Sequence, residues 1–228
     1  MAKLHFKYGA MKSGKSDTLI KTAFNYEEQG LKIVTIKPST DTNSDKRITS
    51  RGGASLVVDM VTTNDTNIFK VIAYKNTVSC VLVDEAQFLT EAQIDQLFAV
   101  AKKLDISVIA YGLRADFRSH VFPGSKRLFE IADNIEKLPT MCRCGSQAEF
   151  NCRKINGKFI FEGKQIAIDG EKSVKYDSLC GNCYLTEKQR AERKNTTVRT
   201  RNQRTIEGAK PRENTIQKHD SSTLPKIP

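Results

Sequence analysis

Apolar positions in the N-terminal half of the chain follow two periods in turn. Leu4–Tyr8 (LHFKY) is a short run of strand-forming residues. The segment DTLIKTAFNYEEQG, from Asp17, spaces its apolar residues as a helix does and stops at Gly30, a residue that helix ends favour. Residues 31–36 (LKIVTI) read as a second strand. Strand, Gly-rich turn, helix and strand in succession make a βαβ unit, which predicts a parallel sheet. CVLV (80–83) and ISVIAY (106–111) are apolar without alternation, as expected of strands buried on both faces. Thr90 is placed to cap a helix running to about Leu104, with Glu91, Ala92 and Gln93 in its first turn. Residues 38–55, rich in Ser, Thr, Asp and Gly, read as one long loop.

After about Pro139 the rhythm changes. Cysteines, glycines and short strand-like pieces (KFIFEG, QIAIDG) predict a small second domain over 140–185, too small to be held by apolar burial alone. Residues 1–139 form the α/β domain, and 186–228, polar and without an apolar period, are expected to be a disordered tail. With 39% hydrophobic and 28% charged residues over 228 positions, a wholly disordered chain is excluded. No apolar run approaches the roughly 18 residues that span a bilayer, and the N-terminus has no signal-peptide core, so the cytoplasm is the expected compartment and no membrane partner is expected. The net charge is +11. About half of it lies in the tail, which lacks interleaved aromatics for base stacking; a solvated segment is expected there rather than a nucleic-acid site.

The turn after the first strand carries chemistry. Gly9, Ala10, Met11, Lys12, Ser13, Gly14, Lys15 and Ser16 fit G-x-x-x-x-G-K-[ST] in full. In such a loop, main-chain N–H groups and the positive end of the following helix cradle phosphates, the lysine adds a point charge, and the serine hydroxyl can ligate Mg²⁺. A triphosphate site also needs a metal-side acid at the end of a neighbouring apolar strand. Asp84 supplies it after CVLV, and Glu85 lies one residue nearer a second substrate, where it could polarise water or accept a hydroxyl proton. DEAQ also looks like a helicase box, but that reading needs a second nucleotide-binding domain, for which the chain has no room. Six cysteines are present. Cys142-x-Cys144 and Cys180-x-x-Cys183 can close a tetrahedral four-sulfur zinc site, structural because no coordination position stays open; Cys152 is an alternative ligand and Cys80 a core residue.

With these motifs in place, the sequence closely resembles the zinc-containing, P-loop thymidine kinase family, and its enterobacterial branch most. The resemblance runs from about Lys3 to Leu185 and is carried by GAMKSGKS, the KP…D loop at 37–41, VDEAQFL, YGLRADFR with Phe122, MCRCG and YDSLCGNCY. It implies a P-loop NTPase of RecA-like type: a parallel α/β sheet with helices on both faces, joined to a zinc-bound domain whose lasso loop, about Ile166–Tyr176, grips the base. It implies ATP-dependent phosphorylation of thymidine at the 5′-hydroxyl, with Glu85 as general base and Ser16, Asp84 and Asp41 around Mg²⁺. Met11, Phe88, Leu113 and Phe117 would line the thymidine pocket, together with Arg118, Phe122, Ile168 and Tyr176. dTTP as feedback inhibitor and a homo-oligomer, dimer or tetramer, follow from the same resemblance. The chain departs from the family at Asn43, where arginine is usual and Arg47 or Arg51 could substitute, and at Ile168-Asp169-Gly170 in the lasso. A kinase for another deoxynucleoside and a nucleic-acid-stimulated ATPase are the rival readings.

Overall fold

Six parallel strands form the main sheet. In chain order the elements are β1 (Leu4–Tyr8), α1 (Lys15–Glu28), β2 (Lys32–Pro38), β3 (Arg47–Thr49), β4 (Ser55–Val57), β5 (Met60–Thr62), α2 (Ile68–Ala73), β6 (Val78–Val83), α3 (Glu91–Lys103), β7 (Ser107–Gly112), α4 (Pro123–Ile131), β8 (Asn134–Lys137), β9 (Phe150–Ile155), β10 (Lys158–Ile160) and β11 (Val174–Leu179). The computed structural model describes residues 1–39, 46–163 and 174–193, and Met1–Ala191 make one compact unit.

The sheet order is β5-β2-β6-β7-β1-β8. Every pairing within it is parallel, so all strands end at one edge. Ligands of open α/β sheets bind outside those carboxyl ends. The phosphate-loop strand β1 and the acid strand β6 both point there, with β7 between them. Strand side chains alternate between two cores. Val34, Ile36, Val81, Val83, Val108 and Ala110 bury against α2 and α3 on one face. Ile33, Cys80, Leu82 and Tyr111 bury against Leu19 and Ala23 of α1 on the other. Both sets are apolar, which is why these segments show no alternation in the sequence. Cys80 is fully buried, as a core residue should be.

Helix starts and stops follow local chemistry. Thr90 accepts from the Gln93 N–H while the Gln93 side chain accepts from the Thr90 N–H, a complete capping box. Helix α1 ends before Gly30, which takes a left-handed φ of 68°. The 38–55 segment is not one loop: β3 and β4 pair as a hairpin, because Ile48 buries against the α1 side of the sheet. Residues 40–45 lie outside the described residues.

Past Leu138 the chain builds an antiparallel sheet of order β10-β9-β11. Its small core joins Cys142, Ala148, Cys152, Leu179, Cys180 and Tyr184, with Phe150, Phe159 and Phe161 packed on them. The strand expected at QIAIDG lies outside the described residues. Residues 181–193 are helical, so the beginning of the expected tail is helix.

Candidate active site

Gly9 leaves β1 where no side chain fits. An added Cβ would stand 2.3 Å from Ser13 Oγ and 2.7 Å from the Leu138 carbonyl. Gly14 caps α1 with φ 74°, a left-handed turn that glycine adopts without steric cost. Between them the loop bends around Lys15. Its side chain is buried, and Nζ donates to the Ala10 carbonyl at 3.0 Å. Burial pushes the Lys15 ammonium below its ordinary value; the Glu85 and Asp84 carboxylates oppose that shift and Arg51 adds to it. A buried cation in this setting favours an anionic partner. Ser16 Oγ donates to Asp84 Oδ2 at 3.5 Å, so the loop hydroxyl and the strand-end carboxylate form an oxygen donor set of the kind Mg²⁺ takes. Asp41 lies outside the described residues.

Glu85 follows Asp84 in a left-handed conformation, φ 49° and ψ 38°. A non-glycine residue held there stores strain that recurs at functional sites. Gln87, buried beneath it, fixes its carboxylate: Nε2 donates to Glu85 Oε2, while Oε1 accepts the Leu113 N–H at 2.9 Å. Because Oε1 is engaged by a donor, the nitrogen must face Glu85. Sequence reasoning passed over Gln87, although a glutamine between an acid and an apolar FL pair was a visible signal.

The expected pocket residues gather in two pairs. Phe88 and Phe122 meet edge to face with centroids 5.6 Å apart. Phe117 is buried under the Arg153 guanidinium, which lies 3.8 Å from its ring centroid, and Arg153 Nε donates to the Tyr176 hydroxyl at 2.9 Å. Arg153 thus joins Phe117 to Tyr176, a link no sequence motif announced. Leu113 is tied by its N–H to Gln87, the residue that precedes Phe88. Arg118 is turned onto buried Asp116, with Nη2 and Nε at 2.8 and 3.0 Å from one oxygen. Ile168 lies outside the described residues.

The antiparallel sheet reaches the phosphate loop directly. Asn151 Oδ1 accepts the Met11 N–H at 2.8 Å, and Ser178 Oγ donates to the Met11 carbonyl. Thr140 Oγ1 donates to the Lys12 carbonyl at 3.1 Å, and Lys12 Nζ pairs with Asp177 at 2.9 Å. Asn151, Asp177 and Ser178 sit in short, mixed strands and Thr140 in the segment between β8 and β9, where the sequence pattern does not reveal them. Lys12, followed by Lys154, holds the Asp177 carboxyl down at about 2, against 3.8 ordinarily. A carboxylate so lowered contributes stability that is full above about pH 4 and is lost as the pH falls toward 2. Asp177→Asn is therefore expected to lower the melting temperature at pH 7 and to flatten its decline between pH 4 and 2. Melting curves recorded across that range check this, and unchanged curves would remove the ion pair from the account.

The four expected thiols converge. A turn closed by Cys142 N–H to the Ser146 carbonyl (2.8 Å) and by Gly145 at φ 87° carries Cys142 and Cys144. Cys180 and Cys183 stand at the start of the 181–193 helix. All four Sγ atoms lie within 4.8 Å of one another, and Cys144 and Cys180 are 3.6 Å apart. Bonds of about 2.3 Å in a tetrahedron put sulfurs about 3.8 Å apart, so the set fits zinc. Hydrogen bonds from Ser146, then from Cys142 and Cys180, lower Cys144 to about 6, while the neighbouring thiols push Cys183 up to about 12. Cys152 stands apart from the group, buried, with its thiol pushed up to about 12 by that burial.

The thymidine kinase family profile matches residues 2–184. Thymidine kinase of Shewanella oneidensis is 40% identical over 79% of this chain and 95% of its own length. That of Coxiella burnetii is 41% identical over 79% of this chain and 93% of its own. A solved Pif1 helicase from Candida albicans is a remote match, with a TM-score of 0.35 and 16% identity over 60% of this chain and 36% of that one, too distant to bear on function. On the strength of the profile and of these relatives, the chain belongs to the thymidine kinase family.

Proposed function

We propose that the chain transfers the γ-phosphoryl group of ATP to the 5′-hydroxyl of thymidine, giving ADP and dTMP for salvage into DNA synthesis. The observation that carries this reading is the Glu85 carboxylate, which shares the field of buried Lys15 with Asp84 and is gripped by Gln87, whose other end holds Leu113 of the expected base pocket. Gly9–Ser16 would receive the triphosphate. Lys15 would neutralise charge on the transferred group, exchanging its bond to the Ala10 carbonyl for phosphate oxygens. Glu85 would align the 5′-hydroxyl and take its proton. Phe88, Leu113, Phe117, Phe122 and Tyr176 would offer flat apolar walls to the pyrimidine, with Met11 and Ile168 completing the site. Arg118, bound to Asp116, would close the loop that carries Phe117 rather than touch the base.

Ser16 and Asp84, with Asp41, would hold Mg²⁺, which when bound draws negative charge from the phosphates. The four cysteines would hold a structural zinc. Family resemblance supports a cytoplasmic homo-oligomer inhibited by dTTP, in three parts: 1–139 for catalysis, 140–185 for the zinc and lasso, and 186–228 as tail. Among the described residues no helix is long and apolar enough to cross a membrane.

The test is transfer of label from γ-labelled ATP to thymidine, deoxyuridine and deoxycytidine. The expected result is the highest kcat/KM for thymidine. A preference for deoxycytidine would overturn the substrate, and ADP production raised by DNA but indifferent to thymidine would overturn the kinase.

A further inference from the structure

Asn151 and Ser178 face each other as a cross-strand pair on β9 and β11. Directly opposed residues of an antiparallel pair project on one face, so their side chains can act on one target. That target is Met11: the Asn151 amide oxygen takes its N–H at 2.8 Å and the Ser178 hydroxyl donates to its carbonyl. Both main-chain polar groups of this phosphate-loop residue are therefore held by side chains more than a hundred residues away in sequence. The other end of Asn151 is engaged too. Its Nδ2 donates to the Ala115 carbonyl at 2.8 Å. Ala115 sits in the loop after β7, bridged to Val121, which carries Leu113, Phe117 and Phe122. Donor and acceptor demands thus fix the amide in one orientation: oxygen toward the phosphate loop, nitrogen toward the nucleoside loop. Asn151 and Ser178 are 5% and 6% exposed, so neither bond is exchanged for bulk water.

We infer that Asn151, backed by Ser178, is a positioning residue that fixes the separation of the phosphate loop from the nucleoside loop, and with it the alignment of the two substrates. The inference rests on the thymidine kinase reading above and adds to it a residue that need touch neither reactant. Phosphoryl transfer depends almost wholly on alignment and electrostatics, and a misplacement near 1 Å can cost on the order of 10²-fold in rate. Removing the Asn151 amide leaves the walls of each site in place but unties the two loops.

The experiment uses the full-length enzyme with Asn151→Ala, Ser178→Ala and the double variant. Steady-state kinetics are combined with separate binding titrations of thymidine and ATP. Asn151→Ala is expected to lower kcat by about 10- to 100-fold while both dissociation constants move less than about 3-fold. Ser178→Ala is expected to lower kcat less. The double variant is expected to lose less than the product of the single losses, because both side chains act through Met11. A lower melting temperature at unchanged kcat would make Asn151 a packing residue and overturn the inference. A weaker thymidine affinity at unchanged kcat would make it a base contact, with the same effect, and losses that multiply would overturn the shared route through Met11. Should Asn151→Ala not fold, Ser178→Ala carries the same kinetic test. An inactive wild type would overturn the thymidine reading itself; an active wild type with unaltered variants overturns this inference alone.

Discussion

Glu85→Gln is expected to lower kcat by at least about 10²-fold while ATP still binds with nearly its wild-type affinity. The substitution keeps the length and shape of the side chain. It also keeps an oxygen that can accept from Gln87 Nε2, so the local frame survives. What it removes is the carboxylate that would take the hydroxyl proton. Lys15, Gly14 and Ser16 are untouched, which is why nucleotide binding is expected to persist. Because Glu85 counters the desolvation of the Lys15 ammonium, the amide also weakens the charge balance around the phosphate site. That secondary effect would show in KM for ATP and can be separated from the loss of base by comparing kcat with KM. Near-normal turnover in the variant would remove Glu85 from the chemistry and return the site to simple positioning by the phosphate loop.

Removing the zinc proposed for the cysteine cluster is expected to have a comparably large effect, first on folding and then on activity. Metal analysis should find about one zinc per chain. The core that this module buries is small, and three of its six buried members are cysteines. Structural zinc in small modules contributes on the order of 10–16 kcal/mol of apparent binding energy, more than such a core supplies by itself. A strong chelator, or Cys180→Ser, should therefore produce an additional unfolding transition at lower temperature. Since β9 and β11 carry Asn151, Asp177 and Ser178, the groups that hold Met11 and Lys12, turnover should fall in the same temperature range. Unaltered melting in protein shown to lack zinc would contradict the structural role.

Much of this organisation was legible in advance because it is local. The phosphate loop is specified by eight consecutive residues, the Thr90 cap by four, and the cysteine pairs by spacing. Strands β6 and β7 announced themselves through nearly unbroken apolar runs, since both of their faces are covered. The short elements did not. Strand β8 has mostly exposed side chains and lies at a sheet edge, and β5 has three residues, so neither carries a hydrophobic period long enough to read. The β3–β4 hairpin depends on Ile48 meeting α1, a tertiary contact with no local signature. The same holds within the site. Arg153 was hidden because it is a buried cation between two rings, and Asn151 because its partners are distant in sequence. Arg118 follows Phe117 directly, while its guanidinium pairs with Asp116, a buried aspartate two residues back that no motif singles out.

The backbone at position 85, φ 49° on a residue with a Cβ, has a consequence for how such a protein could be hardened against heat. Glycine would sit there with less strain. On backbone strain alone, glycine would replace the very acid on which turnover is proposed to depend, yet it would also leave the buried Gln87 amide without its acceptor and Lys15 without a counter-charge, so a stabilisation campaign on this scaffold has two reasons to leave that residue alone.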